Sequence, residues 1–170
     1  MAETSDAASQ GEFGDLESVT TLERVYQERG EWELAFFAML RAAELSEPEE
    51  AKALLRRAAH FRIEQMQDRE GAEEAYVRLL VLEPQDVEAL QFRSERALAD
   101  GDTSSAVSLL QALEPQMMER EVVDFDDKLE VSLFFYQLGE CLRQVGQTDD
   151  AANRYRKALE VNTSHIPSLE

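Results

Sequence analysis

Apolar residues recur along the chain at three- and four-residue spacing, the signature of helices that each bury one face. Leu16, Val19, Leu22, Val25 and Tyr26 predict a first helix that runs to Arg29 and stops at Gly30. Trp32, Leu34, Ala35, Phe36, Met39 and Leu40 give the next helix, over 31–45, a wide apolar face that neighbours must cover. Ser46-Glu47-Pro48-Glu49 has the composition of a capped start, with the Ser46 hydroxyl accepting from the third helical amide and proline in the first turn. The helix begun there is predicted to reach about Gln67. Further helices are predicted over 71–82, 87–99, 103–113, 127–145 and 149–161. Pro115 disfavours helical geometry in Glu114, so 114–130 reads as a lengthened connection running into the following helix.

These helices repeat as pairs. Ala151, Tyr155 and Ala158 match Ala106, Leu110 and Leu113, then Ala72, Tyr76 and Leu79, then Ala35, Met39 and Ala42. A turn residue stands five positions before the first small residue each time: Gly146, Gly101, Gln67 and Gly30. Four 34-residue units follow, 16–49, 53–86, 87–120 and 132–165, with insertions of three and eleven residues between them. A helical period of that length belongs to helix–turn–helix solenoids.

The period and its slots resemble the tetratricopeptide repeat family. The last unit carries the resemblance best, with Leu138-Gly139, Leu142, Gly146, Ala151, Tyr155 and Ala158 in phase. Thr163 departs from the proline usual at its slot, which Pro84 fills in the second unit, and His60 and Ser94 replace the glycine matched by Gly139. The resemblance implies an all-α fold, a right-handed superhelical solenoid of antiparallel helix pairs spanning 15–165. Residues 1–14 read as a flexible acidic tail, small and polar with Phe13 their one large hydrophobic group after Met1. Residues 166–170 read as the start of a further repeat, with Ile166 and Leu169 in apolar slots, or as a tail. An array ending there would expose apolar surface open to self-association, or would continue in a longer repeat protein.

Charge narrows the partners. The net charge of −19 comes from 36 acids against 17 bases and is concentrated in 1–50 and 101–170. Such a surface repels phosphate backbones and anionic headgroups, so neither nucleic acid nor membrane is the expected partner. A basic or amphipathic protein or peptide fits better. The beginning of the chain has no basic region followed by an apolar run, and no segment approaches the roughly 18 consecutive apolar residues of a membrane span. A cytoplasmic location is the expectation.

No constellation for chemistry stands out. Cys141 reads as a small core residue and His60 as a helix-packing residue in the small-residue slot. Acidic pairs such as Glu73-Glu74, Asp126-Asp127 and Asp149-Asp150 fall at helix starts, where carboxylates favour the positive end of the helix dipole. No catalytic residue, metal ligand or cofactor is assigned, and the chain is expected not to be an enzyme.

The resemblance implies that first helices of successive pairs line a concave groove for a peptide. Carried over by phase, that face holds Thr20, Arg24 and Gln27; Leu54, Arg57, Phe61 and Glu64; Gln91, Glu95 and Leu98; and Leu133, Tyr136, Glu140 and Arg143. Phe61 and Tyr136 fit either as apolar contact area or as inter-helix packing, and Arg57 and Arg143 as carboxylate partners. Family members that grip a terminal carboxylate use lysines and asparagines there. This face has neither, and Glu95 and Glu140 would repel such a ligand. The expectation is a non-catalytic protein-interaction scaffold. The alternatives are a dedicated chaperone for an export substrate, suggested by the Met- and Phe-containing stretch 117–125, or a regulatory domain of a larger enzyme.

Overall fold

A computed structural model describes residues 14–122 and 124–161. Every regular element in that range is an α-helix: α1 (Leu16–Arg29), α2 (Trp32–Leu45), α3 (Pro48–Gln65), α4 (Glu73–Leu82), α5 (Val87–Ala99), α6 (Thr103–Glu119), α7 (Phe125–Gln144) and α8 (Thr148–Val161). They pack as consecutive antiparallel pairs, so the chain is all-α as expected. It divides into two compact units, Met1–Asp86 and Val87–Glu170. The predicted tail, Gly14 excepted, and the predicted fifth repeat lie outside the described residues.

The turn slot read from the sequence is where the backbone enters the left-handed region. Gly30, Gly101 and Gly146 have φ of 72°, 75° and 84°, and Gln67 has φ of 52°. Three of these turns close in the same way: the amides of Glu31, Asp102 and Gln147 donate to the carbonyls of Tyr26, Ala97 and Leu142, each five residues back. At Gln67 the loop is one residue wider, and the Asp68 amide donates to Arg62 O. Helix starts are held by side chains where the sequence supplies an acid. Asp15 accepts from the Ser18 amide and Asp102 from that of Ser105, while Asp124 and Asp127 form a reciprocal box. The Ser18 amide and then its side chain hold the Asp15 carboxyl below its ordinary range, and the Ser105 side chain and then its amide do the same for Asp102.

In the first unit α2 is the most enclosed helix, with Ala35, Phe36, Ala38, Met39, Leu40, Ala42 and Ala43 all buried. Each large member stabilises the fold by roughly 1.5–3 kcal/mol. Val19 of α1 meets Ala38 and Ala42, flanked by Leu16, Tyr26, Leu45 and Leu54. Arg62 is buried in α3, its guanidinium 4.3 Å from the Phe36 ring centroid and ion-paired with Glu33 at 2.6 Å and Asp68 at 3.2 Å. Arg56 closes the unit by pairing with both Glu83 and the buried Asp86 at 2.6 Å.

In the second unit Gly139 lets α8 approach α7 closely: a Cβ there would stand 2.7 Å from the Tyr155 ring. Ser132 Oγ donates to Ala158 O at 3.2 Å between the same helices, and Arg154 reaches Glu114 of α6 at 2.9 Å.

Three sequence expectations are corrected. Ser46 does not cap α3: its hydroxyl donates to Ala42 O at 2.9 Å and ends α2, while Glu47 takes the cap position without a side-chain bond. Pro115 does not end α6, which continues to Glu119 because Met117 prolongs the buried stripe of Leu110 and Leu113. His60 is exposed, and the adjacent Ala59 does the packing. Most of the eleven-residue insertion, residues 125–131, becomes extra helix at the start of α7, with Arg120 bound to Asp127 and Glu130 across the short connection.

Candidate functional site

The first-helix faces of the two units differ in how far their side chains are already engaged. In the first unit, Arg57 of α3 reaches Glu23 of α1 at 2.6 Å, and Gln27 donates to the other oxygen of the same carboxylate at 2.9 Å. Glu23 is 7% exposed, so this pair ties the first helices of two successive pairs together. A guanidinium has further donors, but its strongest acceptor here comes from within the chain. Phe61 is half-buried and meets Trp32 edge-on, with ring centroids 6.0 Å apart, and Leu54 joins the Val19 cluster. Both therefore serve helix packing. Arg24 and Glu64 are exposed, as is Thr20, whose hydroxyl donates to Leu16 O.

The second unit holds an open cleft of about 370 Å³ between α5, α6 and α7. Gln91, Glu95 and Leu133 line it, as the phase predicts, together with Ser94, Leu110, Leu113, Met117, Glu130, Phe134 and Gln137. Leu133 is 54% exposed although it is a large aliphatic residue at the lip of an apolar floor. Leu98 is half-buried and outside the lining. Tyr136, Glu140 and Arg143 are also outside it and gather round Tyr155. The two tyrosine rings lie 5.8 Å apart, Tyr155 Oη donates to Glu140 at 2.5 Å, and Arg143 donates to the same carboxylate at 2.9 Å. Arg143 first and Tyr155 second hold the Glu140 carboxyl below its usual range. Burial first and Glu140 second raise the Tyr155 phenol.

The phase thus separates into two rows on α7. Leu133, Tyr136, Glu140 and Arg143 were read as one ridge, yet the cleft follows the neighbouring ridge through Glu130, Phe134 and Gln137. The signal was available in the i, i+3 and i+4 relation of 130, 133, 134 and 137, which share a helix face. Glu23 was missed because a carboxylate occupies the slot filled by Gly139 in the last unit.

Chemically, the second-unit cleft presents apolar side chains flanked by the amides of Gln91 and Gln137 and the carboxylates of Glu95 and Glu130. That set suits an apolar side chain on a hydrogen-bonding or basic peptide. Cys141 is buried, and burial and then Glu140 push its thiol up, away from the reactive thiolate. Among the described residues, no group of three or more His, Cys, Asp or Glu is placed to hold a metal ion, and no helix is long and apolar enough to cross a membrane.

Two solved structures of MamA are similar to this chain. One is 16% identical, covers 87% of this chain and 78% of that one, and has a TM-score of 0.46. The other is 13% identical, covers 95% and 100%, and has a TM-score of 0.42. No curated protein matches the chain. Residues 135–164, the second half of α7 with α8 and the three residues that follow, match the model of the tetratricopeptide repeat. The chain carries that repeat in its last helix pair, and such repeats are generally protein-interaction modules.

Proposed function

We propose that this protein is a non-catalytic scaffold that holds a partner protein or peptide on the first-helix face of its repeats, with the α5–α6–α7 cleft as the principal contact. The observation that carries the reading is the exposed Leu133 over an apolar floor, ringed by uncharged amides and carboxylates. An apolar anchor from the partner would enter the cleft, the amides would bond its backbone, and Glu95 would favour a basic flank, Glu130 being already paired with Arg120. Within the first unit the Glu23–Arg57 pair ties α1 to α3.

Site-specific photo-cross-linking tests this. With the cross-linker at Glu95, the complete chain in its native cell is expected to yield a discrete adduct that disappears when Leu133→Glu is added. An adduct unaffected by Leu133→Glu, or none at all, would remove the cleft as the binding surface. A second reading, a chaperone for a poorly folded client, is favoured by Met118, Val122 and Phe125, which are exposed around the α6–α7 connection. It predicts a one-to-one complex lost in the triple serine variant of these residues, measured by light scattering.

A further inference from the structure

Across α2 and α4 the first unit carries a continuous chain of four ion-paired side chains. Arg41 pairs with one oxygen of Glu44 at 2.8 Å, Arg78 pairs with the other at 2.7 Å, and the other terminal nitrogen of Arg78 reaches Glu74 at 2.8 Å. The four sum to no net charge, in a chain of −19. All stay open to solvent, each side chain between 37% and 45% exposed. Arg41 and Glu44 stand about one turn apart on α2, Glu74 and Arg78 about one turn apart on α4, and Glu44 lies beside Arg78. The signs therefore alternate around a quadrilateral. Apolar groups flank it at both ends. Phe37, 50% exposed, is about one turn before Arg41 on the same face of α2. At the other end a cleft of about 370 Å³ opens between α2, the start of α3 and the end of α4. Glu44, Arg78 and Val81 line it, and Val81 is 77% exposed, the most open of the large hydrophobic residues described.

From the alternating signs and the apolar groups at opposite ends we infer that this face binds a second copy of the same chain, about a two-fold axis running across α2 and α4. A two-fold interface apposes one surface with itself, so a patch of single sign would meet its own sign. Here the operation sets Arg41 against Glu44 of the second copy and Arg78 against its Glu74, each twice. The same operation carries Phe37 of each copy to the cleft of the other, where Val81 and the lining Leu55 receive the ring. A carboxylate has acceptor sites, and a guanidinium donors, beyond those used within the chain, so the existing pairs stay intact. The cleft volume lies near the lower end of the roughly 300–1,000 Å³ of ligand pockets, room for one side chain rather than a whole helix. A uniformly basic or acidic partner would meet its own sign at two of the four charges, whereas a second copy meets the opposite sign at all four. At about 0.15 M salt, contacts closer than the roughly 8 Å screening length persist while repulsion between remote acids is damped. The face is separate from the α5–α6–α7 cleft.

Sedimentation velocity of the complete chain at that salt is expected to show a dimer whose fraction rises with concentration. Phe37→Glu, at an exposed position, is expected to retain helicity by circular dichroism and to raise the dimer dissociation constant about tenfold or more. Glu74→Arg and Arg78→Glu, made separately, each oppose like charges twice across the axis and are expected to weaken the dimer to a similar extent. Mixed together, these two variants regain opposite charges at both contacts, so a heterodimer is expected with an affinity within about threefold of the parent's. Leu133→Glu is expected to leave association unchanged. A chain that stays monomeric up to about 1 mM, a dimer indifferent to Phe37→Glu, or a mixture of the two charge variants no tighter than either alone would overturn the inference. Loss of the dimer in Leu133→Glu would overturn it as well. So would a dimer kept in Phe37→Glu but lost on removing residues 162–170, which assigns association to the end of the array. Capture of a different protein by this face, with the chain itself monomeric, would likewise overturn it.

Discussion

The pairs α3/α4 and α7/α8 follow the same slots and close their helices by different means. In α7/α8 a three-residue connection turns at Gly146, and Gly139 admits the Tyr155 ring onto the helix surface. In α3/α4 the connection runs over 66–72, turns at Gln67, and is held by the buried Arg62 through its pair with Asp68, while the exposed His60 takes the slot of Gly139. The tyrosines in equivalent slots exchange roles accordingly: Tyr76 is 2% exposed, whereas Tyr155 is half-buried and spends its hydroxyl on Glu140. A repeat is therefore defined by where its backbone turns and which positions face inward. The chemistry that fills those positions is exchangeable.

The sharpest way to break this comparison is to truncate the two tyrosines. Tyr76→Ala should cost about 3–5 kcal/mol and Tyr155→Ala about 1–2 kcal/mol, because only the first leaves an enclosed cavity. Urea unfolding of both variants measures the difference, and equal costs would show that the exposure contrast is irrelevant. Next comes the packing slot itself. Gly139→Leu should destabilise by about 2–3 kcal/mol through collision with Tyr155, while His60→Leu at the corresponding exposed position should change stability by only about 0.5 kcal/mol.

A third comparison is electrostatic. The lowered Glu140 carboxyl stabilises α7/α8 above the ordinary carboxylate pKa, and that contribution is lost as pH falls through the depressed value. The raised Tyr155 phenol stabilises the pair below the ordinary phenol pKa, and that contribution is lost as pH rises through the elevated value. The bond is thus complete across neutral pH. Glu140→Gln should flatten part of the acid limb of a stability–pH profile, and Tyr155→Phe part of the alkaline limb. Profiles identical to the parent's would show that the hydrogen bond does not contribute. The smallest effect is expected at the turns: Gln67→Gly should gain up to about 1 kcal/mol by relieving a left-handed side-chain residue, whereas Gly146→Ala should lose about 1 kcal/mol.

Most of the helix plan was legible because amphipathic period and turn residues act locally. The α5 range of 87–99 and the left-handed turns at Gly30, Gln67, Gly101 and Gly146 follow directly from them. Errors arose where a tertiary contact outweighs a local preference. Pro115 has an unfavourable local effect, but Met117 gains burial by continuing α6 through it. Ser46 bonds backwards because α2 needs an end more than α3 needs a cap. The candidate site was legible only in part for a related reason: repeat phase locates a helix face within one ridge, and choosing between adjacent ridges depends on what the neighbouring helices present. Gln91, Glu95 and Leu133 meet as expected, while Tyr136, Glu140 and Arg143 are drawn toward Tyr155 instead.

The four left-handed turn residues are all exposed and touch little, so by burial alone they would count as freely replaceable. Their backbone geometry says otherwise: a saturation mutagenesis profile should show four surface positions that accept glycine and asparagine and reject valine, isoleucine and proline. Such positions act as punctuation. The boundaries of the repeats could then be recovered from mutant survival alone, even as the side chains of each repeat diverge beyond recognition.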